Sequence, residues 1–123
     1  MISPLVRVLK DFSMDTTKKL IIITGRNTFS AAQIFISQVA RETTALFAGE
    51  PSSSSPNFVG EENGFELPWS GAIGSISNRY HENIPGDKRK WIEPGIKMEL
   101  SSKDYFMNTD PVLEAVLNQF NAR

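Results

Sequence analysis

The sequence predicts an α/β domain in which helices flank a central sheet. Residues 20–24 form a continuous apolar, largely β-branched run, which is typical of an interior strand buried on both faces. From Ser30 to about Arg41 the apolar residues recur at helical spacing instead. The segment opened by Asp110 and Pro111 has the same spacing, with proline at the first helical position. Strands and helices that alternate in this way indicate the α/β class.

The first half of the chain yields five further segments. A short amphipathic helix is predicted after Ser3 and Pro4, and residues 15–19 form a polar turn. Residues 25–29 form a tight loop after the first strand, and residues 45–48 form a second short strand that ends at Gly49. The Pro/Ser-rich segment 51–56 has the composition of a mobile loop.

The second half is predicted to contain three strands and the closing helix. Residues 65–68 and 72–80 form two strands joined by a turn at 69–71. Residues 82–90 are polar, with a turn at 85–87, and the alternating segment 96–100 is a candidate edge strand. The apolar face of the closing helix is formed by Val112, Leu113, Val116, Leu117 and Phe120.

Composition limits the classes of function. The 123 residues suffice for one domain, with 40% hydrophobic residues, 22% charged residues and a net charge of -1. Basic residues are scattered, so a nucleic-acid partner is not expected. The absence of cysteine and the single histidine, His81, give no basis for a metal site or a bound cofactor. No apolar run has transmembrane length, and residues 1–10 lack the order of a signal peptide. The compartment stays open, because a parent protein could carry an export signal upstream.

The most informative position is Ser30, at the start of the predicted helix that follows the first strand. Backbone N–H groups of a first helical turn, chiefly that of Ala31, are suited to bind a tetrahedral oxyanion. A nucleophile elbow likewise places a serine on the turn between a strand and a helix, although its G-x-S-x-G sequence is absent here. The alternative is a capping box, in which Ser30 caps the helix and Gln33 reaches back to it.

Five motifs, in order along the chain, resemble those of one enzyme family. Residues 20–33, LIIITGRNTFSAAQ, resemble the apolar strand and T-x-S-A-A-E segment that carry the nucleophile of tail-specific (C-terminal-processing) serine peptidases. Residues 49–51, 65–68, 94–96 and 110–114 resemble the G-E-x-T, F-x-L-P, P-D-I and D-x-x-L-E segments of that family. The family includes tricorn-like proteases and interphotoreceptor retinoid-binding proteins. The resemblance implies a crotonase-like core and hydrolysis of peptides or unfolded proteins by Ser30.

Departures from the family pattern restrict the catalytic residues. The family's lysine base would fall near Ser55, where this chain has no lysine. The resemblance therefore implies the branch with a histidine upstream of residue 1 and a carboxylate before P-D-I, for which Asp87 is the nearest match and Glu93 the alternative. His81 is a further candidate base, since imidazole titrates near neutrality, although a strand-end role is its ordinary interpretation. Gln33 and Gly95 replace the family's glutamate and aspartate.

The resemblance also implies that the chain is the C-terminal half of such a core. A PDZ-like module, further core strands and a second oxyanion donor would lie upstream. A half-core exposes strand edges and apolar surface, so we expect a homo-oligomer or association with the missing half, and no peptidase activity from the isolated chain. The alternative function is a non-catalytic binding or structural module of the same fold, as in the retinoid-binding relatives.

Overall fold

The computed structural model describes residues 3–121, with side chains described as far as residue 119. It contains four helices and five strands in this range. In chain order they are α1 (Pro4–Met14), β1 (Ile21–Thr24), α2 (Ala31–Glu42), β2 (Leu46–Gly49), β3 (Phe58–Glu66), β4 (Ile73–His81), β5 (Ile96–Lys97), α3 (Ser102–Phe106) and α4 (Pro111–Asn121). The α/β class predicted from the sequence is confirmed.

A three-stranded parallel sheet forms the centre of the domain, in the order β1-β2-β5. Strand β1 runs parallel to β2 from the Ile21–Leu46 pair to the Thr24–Gly49 pair, and α2 is the crossover between them. The prediction that β1 is an interior strand is wrong, because β1 lies at one edge and Ile23 is 49% exposed. An apolar run predicts a strand, but its place in the sheet depends on which neighbours pair with it.

Helices cover both faces of this sheet. On one face, α1 packs on α2 around Val6, Ile36, Val39, Phe47 and Ile92, all buried. On the other face, Val112 and Val116 of α4 pack on Ala48. Neighbouring side chains of a strand point to opposite faces, so Phe47 of β2 packs in the α1–α2 layer and Ala48 packs in the α4 layer. Each fully buried side chain of this size contributes about 1.5–3 kcal/mol. Of the five residues on the predicted apolar face of α4, Leu113 and Leu117 are exposed rather than buried, and the side chain of Phe120 lies outside the described range.

Strands β3 and β4 form a long antiparallel hairpin separate from the parallel sheet. Strand β3 begins at Phe58, seven residues before the predicted start, and pairs with β4 from Phe58–His81 to Glu66–Ile73. Several large apolar side chains of the hairpin are exposed, Trp69 fully and Ile73 at 86%. Residues 60–64 read GEENG and contain no apolar side chain, so no alternating pattern marks the first part of β3 in the sequence.

The segment 51–56 is anchored rather than loose. Ser52 is buried, and its hydroxyl accepts a 3.0 Å hydrogen bond from the N–H of Ile92. The N–H and the hydroxyl of Ser53 both donate to the carbonyl oxygen of Thr28, at 3.1 and 3.0 Å. The Pro/Ser composition predicted a mobile loop, and these long-range contacts correct that prediction.

Two differences concern the C-terminal third. Strand β5 spans only Ile96–Lys97, at the second edge of the sheet, where the sequence predicted residues 96–100. The helix α3 was not predicted, although Ser101 and Asp104 form a capping box at its start. Among the described residues, no helix has the length and apolar character that crossing a membrane requires.

Candidate functional site

Ser30 lies where the chain leaves the sheet and enters α2. A turn after β1 is closed by a 2.8 Å hydrogen bond from the N–H of Thr28 to the carbonyl oxygen of Gly25. Ser30 then has φ 55° and ψ -122°, and the N–H of Ala32 donates to the carbonyl oxygen of Phe29 at 3.1 Å. These are the dihedral angles and the hydrogen bond of a type II′ turn, whose first central position is normally glycine. A serine here is held in a sparsely populated conformation.

The capping box, the alternative interpretation of Ser30, is not formed at this helix. The side chain of Ser30 makes no capping hydrogen bond, although Ser30 is the N-cap residue. Gln33 is fully buried, and its amide donates to the hydroxyl of Ser37 at 3.3 Å rather than reaching back to Ser30. Capping serines have β-region dihedral angles, as Ser101 has at φ -84° and ψ 161°, whereas Ser30 is left-handed. The hydroxyl of Ser30 is thus not used to start the helix.

The N–H of Ala31 is the first of the 12-residue helix α2. The first N–H groups of a helix have no intrahelical acceptor, and the helix dipole favours negative charge beside them. Ser30 and Ala31 are both exposed. Ser30 and Ala31 thus place a hydroxyl-bearing residue and a helix-start donor next to each other in the chain, at an exposed position.

The loops around Ser30 are tied together by polar contacts. The carboxylate of Glu50, just after β2, pairs with the guanidinium of Arg26 at 3.2 Å and accepts from the N–H of Arg26 at 3.1 Å. The hydroxyl of Thr24 donates to the carbonyl oxygen of Glu50 at 2.8 Å. These contacts hold the segment that leads to Ser30 against the loop that follows β2.

His81 is connected to this segment through aromatic rings. Its imidazole stacks on the ring of Phe58 at 5.1 Å, and the ring of Phe58 lies 6.0 Å from that of Phe29. Phe29 immediately precedes Ser30. The Nε2 atom of His81 also lies 3.7 Å from the carboxylate of Glu61. The fold therefore places His81 in the same aromatic cluster as the residue before Ser30, which its position in the sequence does not indicate.

Asp87 is held in a fork by Arg89. The guanidinium donates to both carboxylate oxygens, and the N–H of Arg89 adds a 2.9 Å bond to Oδ1. This bonding to Arg89 holds the pKa of Asp87 below its ordinary value. The side chain of Asn57, next to Phe58, donates to the carbonyl oxygen of Asp87 at 3.0 Å, so the Asp87 turn borders the aromatic cluster. The carboxylate itself is paired with Arg89 rather than with His81.

Glu93, the alternative carboxylate, is engaged elsewhere. It forms an ion pair with Lys97 at 2.6 Å and accepts from the indole N–H of Trp91. Lys97 first and Trp91 second lower the pKa of Glu93. Because Lys97 belongs to β5, Glu93 lies on the surface beside that strand.

Two positions that depart from the family pattern lie elsewhere. Ser55 is in the anchored loop 51–56, and the N–H of Gly95 donates to the carbonyl oxygen of Phe47 at 2.9 Å.

A cavity of about 290 Å³ opens at the same end of the parallel sheet. It is lined by Arg26, Glu50, Pro51, Trp91 and Glu99. Arg26 follows β1, Glu50 follows β2 and Glu99 follows β5, so the cavity lies beyond the carboxyl ends of all three strands. Ligands of open parallel sheets bind at this position. Within residues 3–121, no group of three acidic or histidine side chains is arranged to hold a metal ion.

Ser30 and Ala31 lie at the start of α2. His81 is connected to this segment through the rings of Phe58 and Phe29. It places Asp87 and Glu93 in separate ion pairs. The sequence did not indicate the contact of Asn57 with the Asp87 turn or the Arg26–Glu50 pair, because contacts between distant segments leave no local pattern. Comparison with the models of known protein families and with curated proteins gave no match to this chain. The likeness to tail-specific peptidases therefore depends on the five sequence motifs.

Proposed function

We propose that this chain carries the nucleophile of a serine peptidase core of the tail-specific type, with Ser30 as the nucleophile and the N–H of Ala31 as an oxyanion donor. The observation that carries the proposal is the backbone of Ser30, left-handed at φ 55° between a parallel strand and a 12-residue helix. Strain of this kind occurs at nucleophile elbows and needs a functional or structural reason. Helix capping is not that reason, because the Ser30 side chain makes no capping hydrogen bond.

In the proposed reaction, the Ser30 oxygen attacks the carbonyl carbon of a peptide while a base takes its proton. The carbonyl oxygen becomes an oxyanion beside the N–H of Ala31, where the dipole of α2 stabilises its charge. The C–N bond then breaks, the protonated base gives its proton to the leaving amine, and an acyl-serine remains for water to hydrolyse. The parallel sheet and its helices would form part of a crotonase-like core.

The base is assigned by the resemblance to a histidine outside these 123 residues, with Asp87 as the orienting carboxylate. Within the chain, His81 is the only imidazole. Because Asp87 is bound to Arg89 in the structure, it would have to exchange this partner to orient a histidine. We therefore expect no hydrolysis of casein by residues 1–123 alone. Turnover that is lost in both Ser30→Ala and His81→Ala would contradict this and would make His81 the base.

A second candidate function is a non-catalytic binding module of the same fold. The observation that favours it is that both candidate carboxylates are engaged by cations rather than by a histidine: Asp87 by Arg89 and Glu93 by Lys97. A fluorophosphonate probe distinguishes the two, since it labels activated serines. The test is labelling of the native gene product, with any sequence that precedes residue 1, in wild-type and Ser30→Ala forms. Labelling that requires Ser30 supports the peptidase, and an unlabelled Ser30 in a folded product supports the binding module.

A further inference from the structure

The cavity beyond the carboxyl ends of β1, β2 and β5 has an unequal distribution of charge. Arg26 is already neutralised there, because its guanidinium and its backbone N–H both contact the carboxylate of Glu50. Glu99 has no ion pair within residues 3–121. One arginine and two glutamates line the cavity, so one negative charge on Glu99 stays uncompensated.

An aromatic face completes the lining. Trp91 is 43% exposed, so part of its indole is open to solvent. Its indole N–H already donates to Glu93, which leaves the ring rather than the N–H for a ligand. A cation is attracted to the face of tryptophan more strongly than to other aromatic rings, and a guanidinium also stacks on it. Trp91 and Glu99 therefore present complementary groups for one positive charge.

The volume limits the size of the ligand. About 290 Å³ is at the lower end of small-molecule pockets, which range over about 300–1,000 Å³. The space suits one extended side chain or one small cation. We propose that this cavity binds a single guanidinium or alkylammonium group, stacked on Trp91 and neutralised by Glu99. The group could belong to a free small molecule or to an arginine or lysine of a peptide.

This site does not depend on the proposed hydrolysis. Binding requires no reaction at Ser30, so it is measured in the Ser30→Ala protein as well as in the wild type. Cation binding that persists in Ser30→Ala supports the cation site, whether or not the native product has peptidase activity. The two proposals therefore succeed or fail separately.

The experiment uses the fluorescence of Trp91. The chain has two tryptophans, and Trp69 is fully exposed on the hairpin, so Trp69→Phe leaves Trp91 as the only indole signal. N-acetyl-arginine amide is titrated into this protein, with N-acetyl-citrulline amide as the neutral isostere. We expect saturable quenching by the arginine compound and binding weaker by roughly an order of magnitude for the citrulline compound. Raising NaCl from about 50 to about 500 mM should weaken the arginine complex.

Variants then test the contributions of Trp91 and Glu99 to binding. Glu99→Gln should weaken binding roughly threefold to fivefold, as expected for one exposed charge pair. Trp91→Leu should weaken it about fivefold or more when binding is measured by calorimetry. Glu82→Gln is the matched control, since it removes the same charge from an exposed position outside the cavity, and its affinity should equal that of the wild type.

A second arm identifies the source of the cation. An acetylated, amidated alanine-rich pentapeptide with one central arginine is compared with its citrulline counterpart. Binding of the peptide and the small compound supports a side-chain site, and binding of the small compound alone supports a free ligand. Equal affinity for arginine and citrulline compounds, or quenching unchanged in Glu99→Gln, overturns the proposal.

Discussion

Replacing Ser30 by glycine should stabilise the fold, because Ser30 has dihedral angles that glycine adopts freely. A non-glycine residue in such a region costs about 1–3 kcal/mol. Glycine also gains freedom in the unfolded chain, which offsets about 0.4–1 kcal/mol of the relief. No capping bond is lost, since Ser30 makes none. We expect a net gain of about 1 kcal/mol, equivalent to a rise in melting temperature of roughly 4 °C for a domain of this size.

The assay is urea and thermal unfolding followed by circular dichroism, with three comparison variants. Ser30→Ala keeps the strain and loses no bond, so its stability should stay within about 0.5 kcal/mol of the wild type. Ser101→Ala is the matched control, because the hydroxyl of Ser101 does accept from the N–H of Asp104 at 3.1 Å. Ser101→Ala should lower the free energy of unfolding by about 1 kcal/mol. Ser101→Gly should lower it by only a few tenths of a kcal/mol.

The result that would refute this reasoning is specific. If Ser30→Ala were destabilised by about 1 kcal/mol and Ser30→Gly were not stabilised, as at a capping serine, then Ser30 would be a helix cap in solution. The left-handed backbone of Ser30 would then have no bearing on catalysis.

Three other predictions concern stability and assembly. Gly49→Ala should cost at least about 2 kcal/mol in urea unfolding, because a Cβ there would lie 2.3 Å from a main-chain oxygen of β1, while Gly86→Ala, with open space around it, should cost less. Arg89→Gln should lower stability at neutral pH, and the difference from wild type should shrink as the solution is acidified, since Arg89 lowers the pKa of Asp87 and the benefit is lost as pH falls through that lowered value; a difference that does not shrink on acidification would contradict this. Exposed apolar residues of the β3–β4 hairpin predict a homo-oligomer, and light scattering that finds a stable monomer at tens of micromolar protein would count against it.

Local pattern was enough to locate most of the elements. Residues 20–24 predicted a strand and Ser30 a helix start, and β1 and α2 follow within one residue of those limits. The start of α4 at Pro111 was predicted in the same way. These signals lie in side chains a few residues apart, where apolar spacing and proline chemistry act directly on the backbone.

The same local rules failed where a distant segment decides. Gln33 has the spacing of a capping-box partner for Ser30, but its side chain is buried in the core and donates to the hydroxyl of Ser37 instead. The pairing of Phe58 with His81 extended β3 well beyond its predicted start. Ser101 and Asp104 form a capping box like the one considered as the alternative at Ser30, since the backbone of Ser101 has the β-region angles that a cap needs.

By itself, the sequence determined that the chain alternates between strands and helices, and that Ser30 opens the helix after the first strand. Only the tertiary structure decided that β1 is an edge strand, that Ser30 is left-handed and free of capping, and that Asp87 is bound by Arg89. It also decided that Arg26, Glu50, Trp91 and Glu99 line one cavity. The physical reason is that helix and strand propensities act over a few neighbouring residues. Sheet order, backbone strain and ion pairs depend on segments tens of residues apart, which meet only when the core packs.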